Sequence, residues 1–91
     1  MKTIIQRIND LANYLDNDDP KRDLAFDIIC KLRQSHEEAS NSEYTKQELV
    51  DLIFTKNNCL ATAGTAGLPE EMLNAAKLLQ QEIIDAYGFQ D

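Results

Sequence analysis

The side chains best equipped for chemistry in this chain of 91 residues are His36, Cys30, Cys59 and three carboxylate doublets: Asp18-Asp19, Glu37-Glu38 and Glu70-Glu71. His36 is the sole histidine and the side chain whose ordinary pKa lies nearest neutrality. It sits in Arg33-Gln34-Ser35-His36-Glu37-Glu38. A phosphotransfer histidine usually stands mid-helix beside a lysine and a small residue, whereas here two glutamates would repel an arriving phosphoryl group. The segment instead predicts a solvated histidine at a polar helix end.

Cys30 and Cys59 lie 29 positions apart with no CxxC pair. Zinc needs about four thiolate or imidazole ligands at short spacing, and this chain offers two cysteines and one histidine. No metal site is expected. The N-terminal sequence Met-Lys-Thr-Ile-Ile-Gln-Arg-Ile-Asn-Asp turns polar too early for a signal-peptide apolar segment. No apolar run approaches the roughly 20 residues that span a bilayer. The expected address is therefore the cytoplasm, without membrane insertion and with both thiols reduced and buried. A Cys30–Cys59 disulfide is the alternative.

Adjacent carboxylates on a helix point about 100° apart, so the doublets do not converge on a substrate. None falls in an apolar setting that would raise a pKa for acid catalysis. Cys59 follows Asn57 and Asn58, with no electropositive surroundings to make it a nucleophile. Gly64 and Gly67 lack the lysine and the preceding strand of a phosphate-cradling loop. The reading is of a protein that is not an enzyme and takes no cofactor. Sixteen acids against nine bases give a formal charge of −7, which repels phosphate backbones and anionic headgroups and argues against nucleic-acid partners.

Helices must position whatever functional surface exists. Ile4, Ile5, Ile8, Leu11, Ala12 and Leu15 recur at helical spacing and predict an amphipathic helix over 3–16, with Thr3 as N-cap. Asp16-Asn17-Asp18-Asp19-Pro20 ends it, and Pro20 opens a second helix over 20–38 with Asp19 as cap. Leu24, Ala25, Ile28, Ile29 and Leu32 form that helix's main face, widened by Phe26 and Cys30. So broad an arc predicts contacts with more than one neighbour, or else a dimer seam. Ala39 to Tyr44 reads as a loop.

Thr45-Lys46-Gln47-Glu48 is a capping box. It opens a third helix over 46–63, with Tyr44 placed to staple the entry and Gly64 suited to a left-handed end. Pro69, Glu70 and Glu71 open a fourth helix over 69–87, with a core stripe of Met72, Ala75, Ala76, Leu79, Ile83 and Ala86 flanked by Leu73, Leu78 and Ile84. Gly88 stands at its end, with Phe89 folding back. Short connections predict one all-α domain over 1–91, an antiparallel up-down-up-down four-helix bundle. A chain of this size buries roughly 60–65% of its unfolded surface, enough for one core without staples. A monomer is the expected state. Tyr14, Tyr44, Tyr87 and Phe89 lie near segment ends, where interfaces recruit aromatics.

The pattern resembles the bacteriocin immunity proteins, especially the enterocin A immunity type. The likeness lies in the second half: the polar end Leu32–Ala39, the Leu49–Leu60 helix, and Gly67-Leu68-Pro69-Glu70-Glu71-Met72-Leu73 opening a last amphipathic helix. The resemblance implies a cytoplasmic helical bundle that guards its host against a pore-forming peptide. Its partner would be a membrane sugar-permease receptor carrying the bound bacteriocin. The face and end of the last helix, including Tyr87 and Phe89, would make the contact. Two alternatives follow from charge and shape: an acidic inhibitor or nucleic-acid mimic of the phage nuclease-blocker kind, and a helical assembly subunit.

Overall fold

The structure, a computed structural model, describes residues 1–60 and 67–90. It is an all-α bundle with four α-helices among the described residues: α1 (Ile4–Asn9), α2 (Arg22–Asn41), α3 (Lys46–Asp51) and α4 (Glu70–Tyr87). A 3-10 turn (Asp10–Tyr14) continues α1, and a π turn (Leu52–Lys56) continues α3. No strand occurs among the described residues, only an isolated bridge between Thr45 and Phe89. Among the described residues no helix is long and apolar enough to cross a membrane.

Two helix starts form as their sequences dictate. The Thr3 hydroxyl accepts from the Gln6 amide at 3.1 Å, and Gln6 Oε1 accepts from the Thr3 amide at 2.8 Å. Thr45 and Glu48 make the same reciprocal pair at 3.1 and 3.0 Å. Each box satisfies two amide groups that a helix start leaves without partners.

The helix ends depart from the pattern, each for a local reason. α1 does not stay α-helical to residue 16. Arg22 Nη1 donates to the carbonyls of Ala12 and Leu15 at 3.2 and 3.0 Å, and the chain tightens into the 3-10 turn before Leu15 becomes extended. The second helix begins at Arg22 rather than Pro20. Asp19 Oδ1 accepts from the Lys21 amide at 2.8 Å, so Asp19 caps a preceding turn. α2 also runs on to Asn41, because Ala39, 3% exposed, continues the core stripe of Leu32 and Ser35.

The third helix does not reach residue 63. Its α-helical part stops at Asp51 and its π turn at Lys56. Asn58 then terminates it: Nδ2 donates to the Phe54 carbonyl at 3.2 Å and Oδ1 accepts from the Leu60 amide at 3.0 Å. The expected continuation through 61–63 and the helix-ending Gly64 lie outside the described residues. Gly67 has φ +86°, the left-handed region that favours glycine, and its carbonyl accepts from Lys21 Nζ at 3.0 Å. The fourth helix starts at Glu70, with Pro69 at the N-cap position.

The core joins Ile8, Leu11, Leu32, Leu49, Ile53, Met72, Leu79, Ile83 and Ile84, each no more than 2% exposed. α4 packs against α1, α2 and α3, and its longest contact is with α2. Three expectations about faces fail. Phe26 and Cys30, assigned to the widened arc of α2, are exposed, and so is Ala86 in the stripe of α4. The arc is narrower than composition suggested: the buried residues of α2 are Ala25, Ile28, Ile29, Leu32, Ser35 and Ala39, a single helical stripe. The two cysteines thus differ: Cys59 is buried and Cys30 is not, and both are free thiols.

Replacing Ile28 or Ile53 (3% and 0% exposed) with alanine should cost about 2–5 kcal/mol by urea unfolding. Phe26→Ala should change stability by less than about 1 kcal/mol.

Candidate functional site

The last helix carries the features that set this surface apart. Its C-terminal end is tied back to the start of α3 by main-chain bonds. The Phe89 amide donates to the Tyr44 carbonyl at 2.9 Å, and the Lys46 amide donates to the Phe89 carbonyl at 2.8 Å. The second bond occupies another of the amides left open at the start of α3. Gly88 permits the approach: a Cβ there would lie 2.7 Å from both the Ile84 carbonyl oxygen and Lys46 Cγ. Gly88 is extended, at φ −76° and ψ 135°, so its role is close packing and not a left-handed turn.

This pairing holds the Phe89 main chain while its side chain stays 51% exposed. Tyr87 behaves differently. It turns inward to α2, where its hydroxyl is 3.0 Å from His36 Nε2 and the two rings meet edge-on with centroids 5.2 Å apart. His36 is thus half-buried against an aromatic ring and not free in solvent as its polar neighbours suggested. Burial pushes its pKa below the ordinary value.

The outer face of α4 is the second feature. Leu78, 55% exposed, lines the first of two clefts along α4. One, of about 420 Å³, is lined by Lys2, Arg7, Asp10, Leu11, Tyr14 and Leu79 beside Leu78. The other, of about 300 Å³, is lined by Phe54, Asn58, Leu60, Leu73, Lys77 and Gln80. The first cleft is edged by two ion pairs, Lys2–Asp10 and Arg7–Glu82, each at 2.6 Å. The hydrogen bond that Arg7 donates to the Glu82 carboxylate holds the guanidinium above its ordinary pKa. Its charge is therefore a fixed feature of the rim.

Beneath the second cleft lies the buried polar node of the fold. Gln80 is 1% exposed, and its Nε2 donates toward the Ile53 carbonyl at 3.4 Å, Asn58 Oδ1 at 3.3 Å and Cys59 Sγ at 3.6 Å. The π turn explains the need. It shifts the ladder so that the Asn57 amide reaches the Leu52 carbonyl, and Gln80 and Asn58 serve the Ile53 and Phe54 carbonyls. Gln80 Oε1 is buried without a partner. Burial also pushes the Cys59 thiol up to about 11, so it remains protonated and a poor nucleophile at neutral pH.

His36 meets a tyrosine, Cys59 a glutamine, and no group of three or more metal-ligating side chains forms among the described residues. Of the residues expected to meet a partner, Phe89 is exposed while Tyr87 is engaged with His36. Leu78, expected to flank the core stripe, is exposed instead. Comparison with models of known protein families, with curated proteins and with solved structures finds no match.

Two measurements test this geometry. Gln80→Leu removes the donor that serves the buried Ile53 carbonyl and should cost about 1–3 kcal/mol, while Gln81→Leu, exposed, should stay within about 0.5 kcal/mol. For His36, a folded pKa below the unfolded value near 6.5 means the unfolded chain takes up its proton first. Above pH 6.5 the group is neutral in both states and contributes nothing to the pH dependence. As pH falls from about 6.5 toward the lowered folded value, stability is lost. The wild-type urea midpoint should therefore fall more over this range than that of His36→Gln.

Proposed function

We propose that this chain is a small interaction protein of the bacteriocin immunity class. It protects its host from a pore-forming peptide by engaging that peptide's receptor complex through the end of α4. The reading draws on the sequence resemblance of the second half, and the all-α bundle is compatible with it. The observation that carries it is Phe89, a half-exposed aromatic whose main chain is hydrogen-bonded on both its amide and its carbonyl. An apolar anchor already held in place loses little freedom on binding, and such residues dominate interface energetics. Leu78 and the two clefts along α4 extend the same helix's contact surface.

The test is protection of a sensitive bacterial strain challenged with a panel of pore-forming peptides. Wild-type protein should confer resistance to at least one. Phe89→Ala should reduce that resistance about tenfold or more, the range expected of an interface anchor. Alanine keeps the backbone amide and carbonyl, so the melting temperature should move by only a few degrees. Full resistance in a folded Phe89→Ala variant would move the contact elsewhere. If no peptide is countered while a basic target is bound in a steeply salt-dependent manner, the acidic-inhibitor reading replaces this one.

A further inference from the structure

The outer face of α2 carries an aromatic that the bundle leaves uncovered. Phe26 is 46% exposed, and Cys30, one helical turn on, is exposed too. Residues three and four apart on a helix are surface neighbours, so Asp23, Phe26, Asp27 and Cys30 form one contiguous patch. Both aspartates are exposed. Asp16, Asp18 and Asp19 of the preceding turn add three carboxylates at the same end of the helix.

The nearby bases offset part of this charge: Lys21, Arg22 and Lys31 carry three positive charges against the five aspartates. Lys21 Nζ is bonded to the Gly67 carbonyl, and Arg22 Nη1 to the carbonyls of Ala12 and Leu15. Among the described residues the ion pairs are Lys2–Asp10 and Arg7–Glu82, so none involves these five aspartates. The Arg22 guanidinium lies over the Phe26 ring, 5.4 Å from its centroid. It steadies that side of the ring and leaves the remainder open.

We propose that the Asp23–Phe26–Asp27–Cys30 face of α2 is a docking surface for a basic amphipathic helix of another protein. The partner's apolar residues would cover Phe26 and Cys30, and its lysines or arginines would meet the aspartates. Charge selects this occupant. A second copy of this chain would bring the same five carboxylates against one another, a repulsion that opposes pairing. The apolar patch supplies the contact and the carboxylates choose the partner's sign. This surface is independent of Phe89, and it stands or falls whether or not the chain confers immunity.

The probe is a fluorescent synthetic peptide of about four helical turns, with leucine on one face and lysine on the other, and a counterpart with glutamate for lysine. Anisotropy should show the lysine peptide binding and the glutamate peptide not binding. Phe26→Ala and the pair Asp23→Asn/Asp27→Asn should each weaken binding about tenfold, with a strong dependence on salt. Glu70→Gln/Glu71→Gln, an equal change of charge at the start of α4, should weaken it less than about twofold.

Cys30 gives a readout in the unaltered protein. At neutral pH alkylation should report the exposed Cys30 and spare the buried Cys59, and the lysine peptide should slow it. Equal weakening by the two charge-removing pairs, equal binding of both peptides, unaltered binding to Phe26→Ala, or unprotected Cys30 would overturn the proposal. A wild-type dimer that Phe26→Asp dissociates would also overturn it, by giving the face to a second copy.

Discussion

Burial of one side of α4 is the constraint on which the rest of the molecule depends. Met72, Ala76, Leu79, Ile83 and Ile84 are each no more than 2% exposed, and they form the apolar surface that α1, α2 and α3 share. In a chain this short the core is modest, and a helix touched by all the others sets where each of them sits. Its opposite side carries the exposed Leu78. Its end is left free to be caught by α3, which explains the pinning of Phe89. Core and candidate contact surface are thus two sides of one helix.

Polar groups settle what apolar packing leaves open. Ile53 must point into the core, yet α3 reaches it through a π turn that displaces carbonyls from the ordinary ladder. Gln80 answers from α4 with an amide that faces only acceptors: the Ile53 carbonyl, Asn58 Oδ1 and Cys59 Sγ. A buried glutamine costs stability unless it is bonded, and here it fixes α3 against α4 in one register. His36 and Tyr87 make a second tie, between α2 and the last turn of α4.

Local signals in the chain were legible where the physics is local. The Thr45–Glu48 capping box spans four residues and forms as written. The stripe Leu79–Ile83 repeats at helical spacing and is buried. What escaped is of longer range or ambiguous by type. Ser40 and Asn41 resemble loop residues, and the burial of Ala39 outweighs them. The run Leu49–Phe54 is apolar except at Asp51, and that single polar position does not distinguish an α from a π continuation. His36 and Tyr87 are 51 positions apart, and the bond between them leaves no trace in either local pattern. The Phe89 tie runs through main-chain atoms, which residue type does not encode. Phe26 was grouped with the core because an aromatic beside a helical stripe usually belongs there.

The π turn has a consequence for the length of this segment. A π turn is an α-helix carrying one surplus residue, accommodated locally instead of passed down the chain. A polypeptide one residue shorter between 52 and 56 would close as regular α-helix and keep Asn58 and Cys59 on the side that faces Gln80. The Ile53 carbonyl would then find its partner within the helix and no longer call on Gln80. The surplus residue is thus what opens the carbonyl that α4 holds. Side chains there are exchangeable in the measure that they are exposed, while the link to α4 depends on the number of residues.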